Sequence, residues 1–106
     1  FNYVDDVVDA ILLAADNEAC FGKVFNLGAE SHYSLNEFIA ELNSYREFET
    51  SKIDFPNDKK LIDIGDYYGD FSAFNSLTNW RPKVDLKEGL GRTLEFYEQH
   101  QSIYLS

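Results

Sequence analysis

The chain has one cysteine, two prolines, one tryptophan and no methionine in 106 residues. A lone Cys20 excludes an internal disulfide and a cysteine-built zinc site, and it fits a reducing, cytoplasmic setting. Cations are scarce, with 9 Lys and Arg against 19 Asp and Glu and a net charge of −10. Nucleic acid and anionic membrane surfaces both select basic faces, so neither is an expected partner. The acid excess reads most simply as solubility. The longest uncharged apolar run, Ala10 to Ala15, is too short to cross a bilayer.

Chemical motifs are equally sparse. His32 and His100 are the only histidines, and neither sits in a regular spacing of carboxylates or cysteines, so no metal site is expected. Asp63, Asp66 and Asp70 do not follow the spacing of an EF-hand loop. Ser31 and His32 lack a nucleophile elbow. There is no G-x-G-x-x-G, no Walker loop and no Y-x-x-x-K, so no catalytic residue is expected within these residues.

What is present is enough for one small domain. Aromatic residues make up 16% of the chain, with nine Phe and seven Tyr, and some of them suit a surface that meets another domain. Residues 1–4 read as the end of a strand entering a helix. With no initiating methionine before it, that strand suggests a piece of a larger protein. Asp5 or Asp6 is placed to cap the helix, whose apolar positions are Val7, Val8, Ile11, Leu12 and Ala15. Asn17 and Gly22 close it. Residues 23–28 read as a short buried strand ending in Gly28.

Ser34 and Glu37 form a capping box for a second helix, with Leu35, Phe38, Ile39 and Leu42 on one face. Residues 52–55 alternate like a strand that Pro56 ends. Residues 57–69 read as a long loop, a class of segment that is often functional. Asp70 caps a short helix through Phe71, Phe74 and Leu77. Asn79 suits a left-handed stop before Pro82. Asp85 with Glu88 opens a last helix through Leu86, Leu90, Leu94 and Tyr97, and His100 suits its C-terminal end. Trp80, Pro82, Leu90 and Leu94 read as core.

Three ordered segments carry a resemblance. Residues 1–10, FNYVDDVVDA, resemble an R-D-F-x-Y-V-D-D-V strand-to-helix junction. Residues 22–28, GKVFNLG, followed by Tyr33-Ser34-Leu35, are similar to G-x-x-Y-N-I-G followed by S-x-x-E. Asp70-Phe71-Ser72, Asn79-Trp80-Arg81-Pro82 and Leu86-Lys87-Glu88-Gly89-Leu90 resemble D-x-S-K, L-G-W-x-P and L-x-E-G-L. Together these resemble the C-terminal part of extended short-chain dehydrogenases, the NAD-dependent sugar-nucleotide epimerase/dehydratase family.

The resemblance implies an α/β fold. The chain would be a small C-terminal substrate-binding domain, residues 1–106, of helices and a few short strands. An N-terminal Rossmann domain, absent from this sequence, would bind NAD(P) and carry the catalytic Tyr and Lys. The parent would be a cytoplasmic homodimer acting on a UDP- or dTDP-linked sugar. Its C-terminal domain would close over the nucleotide sugar and be inactive alone. Phe1 would border the nucleotide, and Lys60 and Asp63 would stand in for R-x-G-D, contacting the diphosphate and the ribose. Lys60 lacks the bidentate fork of Arg, and Ile62 replaces the glycine of that motif. Ala73-Phe74 and Asn79 are further departures, the latter mild because Asn tolerates left-handed backbone. The alternative is a free-standing, non-enzymatic interaction module that kept the fold.

Overall fold

The computed structural model describes residues 1–63 and 65–104. Among these residues six helices follow in order: α1 Val4–Asp16, α2 Leu35–Tyr45, α3 Asn57–Lys60, α4 Ser72–Thr78, α5 Leu86–Gln99 and α6 Gln101–Tyr104. A 3-10 turn, Glu18–Cys20, lies after α1. No strand occurs among the described residues, so the expected strands at residues 1–4, 23–28 and 52–55 are corrected: Val4 opens α1, and residues 1–3, 23–28 and 52–55 are irregular backbone. The physical reason is pairing, since a strand needs a neighbour for its backbone groups and none stands beside these segments. Val24 illustrates this, with 95% of its surface exposed while Phe25 and Leu27 turn inward. Part of the expected 57–69 loop is helical as α3, and its Ile64 lies outside the described residues.

N-terminal capping follows the sequence closely at α2 and α5, whereas the N-cap of α4 is Phe71 and Asp70 acts from one residue earlier. Ser34 Oγ accepts from the Glu37 amide, and Glu37 accepts in return from the Ser34 amide. Asp85 accepts from the Glu88 amide at 2.9 Å. Asp70 accepts from the Ser72 amide just ahead of α4. Asn79 ends α4 in the left-handed region at φ 59°. His100 caps α5, with its Nδ1 2.7 Å from the Phe96 carbonyl.

The start of α1 departs from the capping expectation. Tyr3, extended at ψ 143°, is the N-cap, and its carbonyl accepts from Asp6 and Val7. Asp6 lies inside the helix with 2% of its surface exposed. Its two carboxylate oxygens accept from the amides of Lys83 and Val84, each at 3.0 Å. Its own carbonyl accepts from Trp80 Nε1 at 2.9 Å. A buried carboxylate is tolerable only with such donors, and here one residue fastens α1 to residues 80–84.

The face of α1 that packs is also not the apolar stripe. Ala10 is buried with Cys20, Phe74 and Trp80, and Ala14, Phe25, Leu27 and Phe71 pack around them. Small side chains at Ala10 and Ala14 let the helix approach the aromatic rings closely. Phe71 and Phe74 meet Trp80 edge-on at 5.6 and 5.9 Å. Val4, Val8, Ile11 and Leu12 are left exposed as a continuous apolar face. Trp80 and Leu90 are buried, and Pro82 and Leu94 are half-buried, as their expected core role requires.

A second contact joins α2 to α5. Tyr45 lies over Gly91, where a Cβ would come 2.8 Å from the tyrosine oxygen, and its hydroxyl donates to the Lys87 carbonyl at 2.8 Å. Arg46 pairs with Glu98 nearby.

The whole is open. The radius of gyration is 17.1 Å, against about 13 Å for a compact domain of this length. The accessible surface is 8625 Å², where a compact protein of 12.2 kDa would expose about 6,100 Å². No helix among the described residues is long and apolar enough to cross a membrane.

Candidate functional site

Three segments converge on one cleft. Gly28 and Gly69 meet backbone to backbone, so that a Cβ on Gly69 would stand 2.9 Å from Gly28 Cα and one on Gly28 would enter the Gly69 carbonyl. Only glycine at both places permits this approach. Asn2 adds the third segment, its Nδ2 donating to the Gly28 carbonyl at 2.7 Å. Above this floor opens a cleft of about 560 Å³, within the range of small-molecule sites. Its walls are residues 27–29 and 31–35 on one side and Asp63 with residues 65–69 on the other, with Phe1 and Asn2 at the end.

Of the expected site residues, the structure brings Phe1 and Asp63 to this cleft. Phe1 is mostly exposed and leans on Phe38, ring centroids 4.8 Å apart. Lys60 ends α3 as an exposed residue and does not line the cleft.

Of the other wall residues, the sequence offers Ser31 and His32 only as a pair without a nucleophile elbow, Asp66 only as an unmatched calcium spacing and Ser34 as a helix cap, and it gives no signal for Tyr68. His32 and Tyr68 meet edge to face across the cleft at 4.4 Å. Gly28 and Gly69 were legible as segment ends, but nothing in a single sequence pairs them. Asp63 and Asp66 bring two carboxylates to the lining, and no Lys or Arg is among the lining residues. Glu37, just outside, has its carboxyl held below the usual glutamate range by the Ser34 backbone amide and hydroxyl, and slightly by His32. Among the described residues, no group of three His, Cys, Asp or Glu is disposed to hold a metal ion. The lining offers shape, aromatic surface and hydrogen-bond acceptors.

No protein-family model matches the chain, and no solved structure matches it. Curated relatives do. A human dTDP-D-glucose 4,6-dehydratase is 33% identical over 107 residues, covering 94% of this chain and 29% of that protein. A UDP-N-acetyl-alpha-D-glucosaminuronate decarboxylase from Bacillus cytotoxicus is 23% identical over 103 residues, 93% of this chain and 32% of that protein. UDP-glucuronic acid decarboxylase 1 from Arabidopsis thaliana is 28% identical over 98 residues, 87% of this chain and 20% of that protein. The chain thus spans under a third of the length of these relatives. Over most of its own length it is similar to nucleotide-sugar dehydratases and decarboxylases.

Proposed function

We propose that this chain is the substrate-binding part of an NAD(P)-dependent nucleotide-sugar epimerase, dehydratase or decarboxylase of the extended short-chain dehydrogenase type. The observation that carries the reading is likeness to such enzymes over nearly the whole chain. The cleft supports it, because its size and lining suit part of a nucleotide sugar. The excess surface supports a large intramolecular partner: about 2,500 Å² more than a compact protein exposes is the scale of an extensive interface. Val4, Val8, Ile11 and Leu12 and the unpaired segment at Val24 would meet that partner, the N-terminal dinucleotide-binding domain. A free-standing module would not carry so much bare apolar surface, so this face favours the domain reading.

The residues of the chain itself do not fit NAD(P). They include no glycine-rich dinucleotide loop and no Tyr/Lys pair, and no Lys or Arg among the described residues lines the cleft to meet a pyrophosphate. The cofactor and the redox step belong to the rest of the protein. On this reading Phe1 borders the nucleotide, Asp63 accepts from it, and Lys60, three residues before Asp63, meets the diphosphate.

The test uses the protein expressed from its full reading frame. Calorimetry with UDP-glucose and dTDP-glucose should give saturable binding, weakened in Lys60→Ala. Identical titrations for the two proteins would remove Lys60 from the site. No binding of either nucleotide sugar, with no change of a bound nicotinamide in their presence, would sink the enzyme reading.

A further inference from the structure

The cleft wall has a charge and ring arrangement that the reading above leaves unused. His32 comes from the loop before α2 and Tyr68 from the loop before α4, and both are largely exposed. Their edge-to-face contact at 4.4 Å sets one ring against the other while leaving π surface open to the cleft. The Gly28–Gly69 approach brings the two loops together at the base, and Asn2 holds the first of them through the Gly28 carbonyl. The pair is therefore an aromatic platform on the cleft wall. The carboxylates of Asp63 and Asp66 line the same cleft, with no Lys or Arg beside them.

We infer that the His32–Tyr68 pair is the stacking platform for the nucleobase, and that this cleft takes the uncharged nucleoside end of the nucleotide sugar and excludes its diphosphate. The inference rests on the nucleotide-sugar reading and assigns which end enters. Two carboxylates repel a diphosphate, whereas ribose hydroxyls donate to them well. A flat heterocycle stacks on aromatic rings through its whole face, and such stacking tolerates different bases. The hexose is the competing occupant, since it too is uncharged, but its puckered ring offers no flat face to the pair.

The experiment is nucleoside binding to the protein expressed from its full reading frame. Uridine, thymidine, pyrophosphate and glucose 1-phosphate are titrated separately, with saturation-transfer NMR on each complex. Uridine or thymidine should bind with transfer to base protons. Tyr68→Ala and His32→Ala should each weaken nucleoside binding about tenfold, and Tyr68→Phe should stay near wild type. Pyrophosphate binding should be unmoved by those changes and strengthened by Asp63→Asn or Asp66→Asn. Unchanged nucleoside binding in Tyr68→Ala, or an equal loss for pyrophosphate, would overturn the assignment. So would wild-type transfer to glucose 1-phosphate protons with none to base protons, a result that stands even if Tyr68→Ala does not fold. A protein that binds UDP-glucose or dTDP-glucose yet fails these tests refutes the platform alone. A protein that binds neither refutes the nucleotide-sugar reading beneath it.

Discussion

Replacing Asp6 tests the organisation of this chain most directly. Its carboxylate accepts from the amides of Lys83 and Val84 at 3.0 Å in a site 2% exposed to solvent. Asp6→Ala leaves two amide donors without a partner, each costing about 1–3 kcal/mol, so the expected destabilisation is about 3–5 kcal/mol. Asp6→Asn keeps one acceptor oxygen but turns an NH₂ group toward the second amide, for about 2 kcal/mol. A surface helix cap lost at the same place would cost only about 1 kcal/mol, and Asp5→Ala should lie within about 0.5 kcal/mol of wild type. Urea unfolding of the protein expressed from its full reading frame gives the ranking, and amide exchange gives the mechanism. The Lys83 and Val84 amides should lose protection in Asp6→Ala before the rest of the core does. Refutation would be an Asp6→Ala protein within 1 kcal/mol of wild type, or unchanged exchange at Lys83 and Val84.

Other outcomes follow from neighbouring features. Gly28→Ala or Gly69→Ala should destabilise by about 1–3 kcal/mol through backbone collision and abolish uridine binding, as melting and titration will register. Tyr45→Phe removes the bond to the Lys87 carbonyl and should cost about 1 kcal/mol with α2 and α5 still packed, measurable by urea melts. Glu37 and Asp70 both titrate below their ordinary ranges because of amide and hydroxyl donors at Ser34 and Ser72. A carboxylate with a depressed folded-state pKa contributes stability above its unfolded value of about 4 that is lost as the pH falls through the folded one. The first turns of α2 and α4 should therefore loosen in acid, and Ser34→Ala should return the Glu37 titration, followed by NMR, toward its ordinary range.

Much of the local structure was legible because its causes lie within a few residues. Ser34 with Glu37, Asp85 with Glu88 and Asn79 before Pro82 each act across a single turn, and each stands where its sequence position implies. Trp80 was legible as core because a large aromatic beside Pro82 has little other use. The failures share one cause, which is partners far along the chain. Asp6 read as a cap because capping is the commonest work of an aspartate at a helix start, and its true donors lie at residues 83 and 84. The stripe at Val8, Ile11 and Leu12 was correctly seen as apolar, but periodicity cannot tell a face turned to this core from one turned elsewhere. Residues 23–28 have strand composition without a neighbouring strand, so composition outran pairing. Of the cleft, Phe1 and Asp63 came from resemblance, while the pairing of His32 with Tyr68 and of Gly28 with Gly69 exists only once the chain has folded.

The fastening of Asp6 to residues 80–84 also governs the order in which this chain can acquire structure. Joining ends some 75 residues apart carries a loop-closure entropy of about 4 kcal/mol, which no local contact offsets in advance. Helix α1 is synthesised before α4 and Trp80 and has no aromatic floor until they follow it. Consolidation of the core therefore waits for the last quarter of the sequence, and a chain released before Val84 would leave its first helix without a place to settle.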